Sequence, residues 1–482
     1  INGYNDPKSM QPLIFKDCIL ICNGEIYNWK YLYKIMKIKK NTNSDCEVII
    51  HTYKKYGMLQ TLQLLDGVFA FILFDKANNK IFVARDTYGV RPLFWCEDVD
   101  RYLFASEMKS LINLPNRQKV LNQFTPGSCI RIDLSTNKTN IITFSAANSF
   151  NNTTIKTEQD ALSLIRSSLI DAVRKRVDNT DREVACLLSG GLDSSLIAGL
   201  VKKMLGMTNL HTFSIGMNES EDLKYAEKVA TYIGSIHHTI RLTEQEFLDA
   251  IDEVIYTIES YDTTTVRASV GNWLVSKFIK ENSEAKVIFN GDGSDEVCGG
   301  YMYFHAAPDS LEFDKECRRL LNDIHFFDVL RSDRSISSHG LEARTPFLDR
   351  CFVQNYLSIP HNIRYHPGKN QCEKYLLRKA FEEMSILPRE VLFRTKEAFS
   401  DGVSKQSRSW YEIVQEYIVN TKGERYSCLP ANEAEKLYYK DVFDRHFPNH
   451  GHVIPYFWMP KFVEAKDASA RTLKLYTDKM KN

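Results

Sequence analysis

The sequence predicts two domains: an N-terminal layered, β-rich α+β domain, and a C-terminal α/β domain with a doubly wound parallel sheet and a helical C-terminal extension. Three observations carry this. The 482 residues exceed what one hydrophobic core usually spans. Residues 1 to about 148 hold short apolar runs separated by turn residues, whereas from about 158 strand and helix patterns alternate. The composition shifts between them, at the polar stretch SAANSFNNTTIKTEQD, which reads as a linker with a helix N-cap near Thr157. The domains are therefore set at 1–148 and 158–482.

In the first domain CILIC, VFAFILF, KIFVARD, YLFAS and SCIRIDL read as strands, rich in Val, Ile, Phe and Cys. Asp66-Gly67, Asn78-Asn79 and Pro126-Gly127 mark turns, and helical segments are expected over 46–56 and 108–111. Cys18 and Cys22 share one face of their strand and read as core thiols. In the second domain Leu162, Ile165, Leu169, Val173 and Val177 recur at helical spacing. The strands EVACLL, LHTFSIG, HHTIRL and AKVIF then alternate with helices over 192–205, 222–233 and 244–258. Beyond 310 the pattern is mostly helical, with loops around Pro346, Pro360 and Pro388.

Lys and Arg number 62 against 61 Asp and Glu, a net charge of +1, so nothing in the balance points to nucleic acid or a membrane surface. Eleven cysteines without CxxC spacing fit a reducing compartment. With no apolar run of about eighteen residues and no signal peptide pattern, the expectation is a cytosolic protein.

Chemistry concentrates at glycine-rich strand ends. In LLSGGLDSSL, Ser189, Gly190, Gly191, Asp193, Ser194 and Ser195 join a buried strand to a helix. Glycines let backbone N–H groups approach a ligand, and the helix N-terminus favours an anion. The lysine of a GxxxxGK[ST] loop is absent. Asp193 would repel a bare phosphate but suits one that arrives with Mg2+, so the turn reads as a site for a metal-nucleotide. A second turn, FNGDGSDEVCGGY, repeats the logic. Asp292, Asp295 and Glu296 there need a counter-charge, expected to be Mg2+ shared with Asp193 or a cationic ligand group. YDTTTVRAS sets Thr264, Thr265 and Arg267 at a helix start, and RTKEAFSDG sets Arg394 and Lys396 in a loop, where they would neutralise charge at a phosphorus centre. In the first domain CNGEIYN places Asn23, Gly24 and Glu25 at a strand end, and NSDCEVI adds Asp45. Two carboxylates and an amide suit an α-amino acid.

Together NGEIYN, LDGVFAF, RDTYGVRPLF, LLSGGLDSS, TTVRAS, GSDE, GLEARTPFLD, KEAFSDGV and SARTL, in this order, resemble the glutamine-hydrolysing asparagine synthetases. That family pairs an N-terminal nucleophile glutaminase domain with an ATP pyrophosphatase domain. The resemblance implies that aspartate attacks the α-phosphorus of MgATP to give β-aspartyl-AMP and pyrophosphate, and that ammonia from glutamine then displaces AMP. It implies Ser189, Gly190, Gly191, Asp193, Ser194 and Ser195 around pyrophosphate, with Leu187, Ile215, Asn290 and Gly291 around adenosine. Asp193 and Asp295 would serve Mg2+, Thr264, Arg267 and Asp295 the aspartate, and Lys396 the α-phosphate. Asn23, Gly24, Glu25 and Asp45 would hold glutamine. Aspartate, ATP and glutamine or ammonia are the implied partners, in a protein that binds neither nucleic acid nor membrane, with a homodimer as the expected assembly.

Two departures stand out. The family's cysteine nucleophile and a following arginine-bearing segment should precede Ile1, because INGYNDPKSMQPL matches a region well inside the family's first domain, which is therefore expected to be incomplete here. No internal cysteine can substitute, since the chemistry uses the α-amino group beside the thiol. The expectation is a trimmed chain, or one that uses free ammonia. In NGDGSDE, Asn290 and Asp292 stand where the family reads Ser and Glu. Asp292, in the position of a base or ammonia-orienting group, is one methylene short.

Overall fold

In the computed structural model of the chain, the described residues are 2–98, 101–112, 121–145, 152, 154–206, 209–369, 371–474 and 476. Two compact units form, one from 1–149 with 175–182, the other from 150–174 with 183–482. Part of the expected linker, 146–151 and 153, lies outside the described residues.

Among the described residues the first unit has strands β1 (Leu13–Phe15), β2 (Cys18–Ile26), β3 (Gly67–Asp75), β4 (Lys80–Arg85), β5 (Phe94–Asp98), β6 (Arg101–Ala105), β7 (Asn122–Gln123), β8 (Ser128–Asp133) and β9 (Lys138–Thr143). An antiparallel six-stranded sheet runs β1-β2-β3-β4-β8-β9, and a small sheet runs β6-β5-β7. The unbroken apolar run of β3 follows from burial on both faces. Phe69, Phe71 and Leu73 face a core with Leu32, Met36, Ile49 and Leu62 from helices Trp29–Met36, Val48–Tyr56 and Met58–Leu64. Ala70 and Ile72 face Leu93, Trp95, Phe104 and Phe124 of the small sheet's side. Cys18 and Cys22 are both buried in the first of these cores. All eleven cysteines are free thiols.

The motif RDTYGVRPLF is the corner that closes this unit. Asp86 is buried, and its carboxylate accepts the backbone N–H of Tyr88 and Val90 on one oxygen and of Phe69 and Arg91 on the other. Burial pushes its carboxyl up, against the pull of those N–H donors. Arg85, equally buried, donates to the carbonyls of Gly89, Arg91 and Phe124.

The second unit holds a parallel sheet of β10 (Val184–Leu187), β11 (His211–Met217), β12 (Ile236–Leu242), β13 (Val287–Phe289) and β14 (Glu342–Arg344), in the order β12-β11-β10-β13-β14. From β10 the chain moves outward through β11 to β12, then returns to pair β13 on the other side of β10. The winding direction therefore reverses between β10 and β13, and a crevice opens beyond their C-terminal ends. The intervening helices Leu192–Gly199, Glu221–Ile233 and Thr263–Asn282 lie near their expected positions; the segment expected as one helix over 244–258 is two, Glu244–Asp249 and Ile251–Ile258. β14 is a strand in a region that reads as helix and loop. Its three residues include a glutamate and an arginine, yet all are buried, because Arg344 Nε donates to Glu342 Oε1 at 2.5 Å and the charges compensate within the strand. Among the described residues no helix is long and apolar enough to cross a membrane.

Replacing Asp86 with Ala leaves four buried N–H groups without their acceptor, each costing about 1–3 kcal/mol. A calorimetric scan is expected to show a transition lowered by ten degrees or more (~2–8 °C for each kcal/mol). An unchanged profile would contradict this account of the corner.

Candidate active site

The two strands flanking the reversal each end in a glycine-rich turn, so topology alone sets those turns side by side. After β10 the chain passes Ser189 and Gly190 into helix Leu192–Gly199. Gly190 has φ +76°, and a Cβ there would lie 2.5 Å from the backbone nitrogen of Ala226. Only glycine fits. Gly191 differs: a Cβ would meet nothing closer than Ser189 Oγ at 3.4 Å, so its open side is toward the cavity. Ser194 Oγ accepts from the backbone N–H of Ser189 and lies 3.0 Å from Ser189 Oγ, fixing the turn. After β13, Gly291 approaches so closely that a Cβ would lie 2.7 Å from Asp193 Cβ and from the Ser194 nitrogen.

This contact brings Asp193 and Asp295 together, as expected. Two lysines of the chain stand against this acid pair. Lys374 Nζ lies 2.5 Å from Asp193 Oδ2 and 2.7 Å from Asp295 Oδ1, and Lys396 Nζ lies 2.6 Å from Asp295 Oδ2. Ser294 Oγ donates to Asp193 Oδ1 at 2.8 Å. Burial alone would raise the Asp295 carboxyl, but Lys374 and then Lys396 outweigh it and leave it at about 2. Lys396 in turn has its ammonium held well above the ordinary lysine range, Asp295 and Asp193 outweighing burial. Among the described residues no cluster of three or more His, Cys, Asp or Glu side chains forms a metal-binding group.

One cavity collects most of the expected residues. Leu187, Ser189, Gly191, Asp193, Ser194, Ile215, Asn290, Gly291, Asp292, Asp295, Thr264 and Lys396 all line it. Its apolar end is formed by Leu187, Phe213, Ile215 and Val275, with Phe213 stacked on His238 at 4.6 Å between ring centroids. Thr264 Oγ1 is buried without a hydrogen-bond partner in the described structure. Asn290 donates to Ser332 Oγ and accepts from the N–H of Asp292. Asp292 is paired with Arg331, whose Nη2 is 3.2 Å from its Oδ1, while Arg331 Nε holds Asp328. Burial pushes the Asp292 carboxyl up despite Arg331.

Four expectations need correction. Gly190 and Ser195 do not line the cavity: Gly190 packs on helix Glu221–Ile233, and Ser195 is fully buried on the inner face of its own helix. Glu296 turns away from the acid cluster to accept from Tyr301 at 2.6 Å beside Asp328. Burial first, then the Asp328 charge, push the Glu296 carboxyl far above the ordinary carboxylate range. Arg267 is not open to a substrate anion. It is 3% exposed, with Glu435 at 2.5 and 2.7 Å and Asp467 at 2.7 and 2.8 Å, two bidentate pairs that use both edges of the guanidinium.

Sequence reading missed Lys374, Arg331 and Asp328. Lys374 sits in CEKYLLRKA as if it were the exposed start of an amphipathic helix, yet it is 1% exposed with φ +56°, a conformation that turns its side chain inward. Arg394, assigned only a general charge role, braces the first turn: it donates to the Gly190 carbonyl at 3.1 Å and to Asp222 at 2.8 Å. Burial, partly offset by Arg394, pushes Asp222 up to about 6.

In the first unit Asn23, Gly24 and Glu25 end β2, and Asp45 lies against them, accepting the Ile26 N–H at 2.6 Å. Cys46 Sγ donates to the Gly24 carbonyl, Asn23 reaches Ser106 Oγ at 3.1 Å, and Glu25 accepts from Asn2 at 3.1 Å. The four residues are thus brought together, with Glu25 and Asp45 buried and Asn23 exposed.

A parallel sheet whose reversal point carries two glycine-rich turns and an acid–lysine cluster defines an ATP-binding α/β protein, here joined to a separate layered β unit. Comparison with known proteins gives the particular family. The family model described as Asparagine synthase matches 164–313 and 307–474, and that described as Glutamine amidotransferase domain matches 5–163. The asparagine synthetase [glutamine-hydrolyzing] of Gallus gallus is 44% identical over 500 residues, covering 97% of this chain and 89% of that protein. Those of Homo sapiens and Mus musculus are each 42% identical, over 98% and 95% of this chain and 90% and 86% of theirs. The chain belongs to the glutamine-hydrolysing asparagine synthetase family.

Replacing Lys374 with Met leaves Asp193 and Asp295 facing each other with one cation fewer, at a cost of about 3–5 kcal/mol. Because the Asp295 carboxyl is depressed, its stabilisation is present above the unfolded value near ~3.9 and lost as pH falls toward about 2. The gap in unfolding midpoint between wild type and variant is therefore expected to be widest above about pH 4 and to narrow below it. A gap independent of pH would contradict the charge account.

Proposed function

We propose that the protein makes asparagine from aspartate and ATP, with glutamine as nitrogen donor, and that the second unit carries out the ligase chemistry. The observation that supports this most directly is the convergence of Ser189, Gly191, Asp193, Asp295, Lys374 and Lys396 on one cavity with an apolar end. Adenine fits against Leu187, Phe213, Ile215 and Val275, and the outer phosphates fit the turn at 189–194, where the open side of Gly191 and the N-terminus of helix Leu192–Gly199 favour an anion. Asp193 and Asp295 suit Mg2+, as hard carboxylates from two separate turns facing the same space. When bound, that ion would supply positive charge to offset that of the phosphates.

The β-carboxylate oxygen of aspartate attacks the α-phosphorus. That P–O bond forms as the bond to the β-phosphate bridging oxygen breaks, and pyrophosphate leaves with the electron pair. Lys374 and Lys396, already held at the acid pair, are placed to meet negative charge as it moves onto the leaving group and the α-phosphate. Ammonia then attacks the activated carbonyl carbon, AMP departs with the C–O electron pair, and the nitrogen loses a proton. Asp292, beside Arg331, is the carboxylate suited to orient ammonia or take that proton. Thr264 Oγ1, free of protein partners, offers a donor to the amino acid. Arg267 acts only indirectly, by fixing the helix on which Thr264 stands. In the first unit Asn23, Gly24, Glu25 and Asp45 form the set we assign to glutamine, the carboxylates to its ammonium.

The test supplies MgATP and aspartate with either ammonium or glutamine and follows pyrophosphate and asparagine. Aspartate-dependent pyrophosphate release is expected. Its absence with both nitrogen sources would reject the reading. Asp193→Asn is expected to reduce pyrophosphate release by about 100-fold or more. Asp292→Ala is expected to separate the two steps: pyrophosphate release stays within a few-fold of wild type while asparagine formed per pyrophosphate falls about tenfold or more. Equal loss of both would assign Asp292 to the adenylation step instead.

A further inference from the structure

The catalytic lysine of this reading, Lys396, sits on a stretch, residues 394–398, with no regular secondary structure. Its own backbone N–H is held by Glu373 Oε1 at 2.8 Å. Arg394 at the start of the stretch is tied to the Gly190 carbonyl and Asp222, and a further set of bonds beside Lys396 comes from one segment near the end of the chain. Arg471 Nε donates to Glu397 Oε1 at 2.7 Å, and Tyr476 OH donates to Glu397 Oε2 at 2.5 Å, so both oxygens of the residue next to Lys396 are engaged. Arg471 Nη1 also donates to the Lys405 carbonyl at 3.0 Å. Ser469 Oγ bonds the Asp401 carboxylate at 2.8 Å. The same segment is anchored at its start, where Asp467 takes Arg267 of the helix that carries Thr264.

We propose that residues 467–474, with Tyr476, form a strap that positions Lys396 for phosphoryl chemistry, with Arg471, acting through Glu397, as the positioning residue. The inference rests on the ligase reading for the role of Lys396. Fixing an irregular five-residue stretch costs backbone conformational entropy. The strap supplies that order through charge-assisted bonds to an adjacent side chain, leaving the lysine free to face the acid pair. Ser469 and Ala470 of the strap also wall a cavity that shares Thr264, Tyr301, Ala398 and Ser400 with the nucleotide cavity or its rim. Ordering Lys396 and closing the space beside Thr264 are thus done by one segment.

The experiment compares the full chain with Arg471→Met, Arg471→Lys and Tyr476→Phe. Pyrophosphate release gives kcat and the KM for ATP, and hydrogen exchange follows the amides of 394–402. Arg471→Met is expected to lower kcat by about 10–100-fold, since small misplacement of a reacting group is costly, with KM for ATP changed less than about threefold because the 189–194 turn is untouched. Exchange is expected to rise over 394–402 and not over 184–199. Arg471→Lys should recover part of kcat. Tyr476→Phe, which removes one hydroxyl and cannot unfold the unit, should give a smaller loss in the same direction. Full kcat in Arg471→Met and Tyr476→Phe, or exchange that rises evenly across the second unit, would overturn the strap. A wild type without aspartate-dependent pyrophosphate release would instead overturn the ligase reading, and the exchange pattern would still decide whether the strap orders the loop.

Discussion

The second unit depends on the parallel pairing of β10 with β13. Those strands are separated by about a hundred residues of chain, and their register, Val184 opposite Val287 through Cys186 opposite Phe289, sets two glycine turns a van der Waals contact apart. Every later feature uses that proximity. Gly291 has room for no Cβ because Asp193 already occupies the space, and the same closeness lets Ser294 hold Asp193. Gly300 is required for a related reason: a Cβ there would overlap Lys374 Cε and Asp295 Oδ1. The site is built by backbone approach first and by charge second.

Around the cavity charge then follows a pattern in which acids are matched to cations. Asp193 and Asp295 share Lys374 and Lys396, Asp292 and Asp328 share Arg331, and Asp222 has Arg394. Glu296 is the exception: Tyr301 donates to it, and burial with the Asp328 charge nearby pushes its carboxyl up. Arg267 is the reverse case, one cation between two carboxylates, which is why its guanidinium has no edge left for a ligand. Pairs of this kind add little net stability over apolar packing but are costly to break one partner at a time. They therefore fix geometry, which is what a site that must meet moving negative charge requires.

The architecture was legible because it is written in local pattern. Burial on both faces leaves β3 as the continuous run VFAFILF, and the amphipathic helix over 158–177 shows its apolar stripe at Leu162, Ile165 and Leu169. The glycine turns were legible too, since Gly190 and Gly291 mark places where side chains cannot stand. What stayed hidden depends on pairs far apart in the chain. β14 is a local exception: its Glu342 and Arg344, two residues apart, read as polar because they pair only once the strand is formed and buried. Lys374 looks like a solvated helix residue, and nothing local announces a left-handed backbone at a lysine. Arg267 stood in a convincing motif, but its partners are 168 and 200 residues away. Ser195 was read as a ligand group from its neighbours, although at 3.6 residues per turn it cannot face the same way as Ser194.

The division of labour between the two halves of the nucleotide cavity follows from the same physics. On the proposed reading, the groups that would hold phosphates sit on the turns that follow β10 and β13, strands that are themselves buried in the sheet. The cations proposed to meet charge as it develops, Lys374 and Lys396, stand instead on a left-handed residue at a helix start and on an irregular stretch, both beyond β14, where the chain has left the sheet. Sheet ends are rigid but can present few long side chains inward without crowding. Peripheral segments have the reach, and they acquire rigidity only through contacts such as Glu373 to the Lys396 N–H. Placing the cations on the periphery and the backbone donors on the sheet lets the first adapt to a substrate while the second keeps its register, and it explains why so much of the chain after the last strand is spent on buried ion pairs rather than on additional sheet.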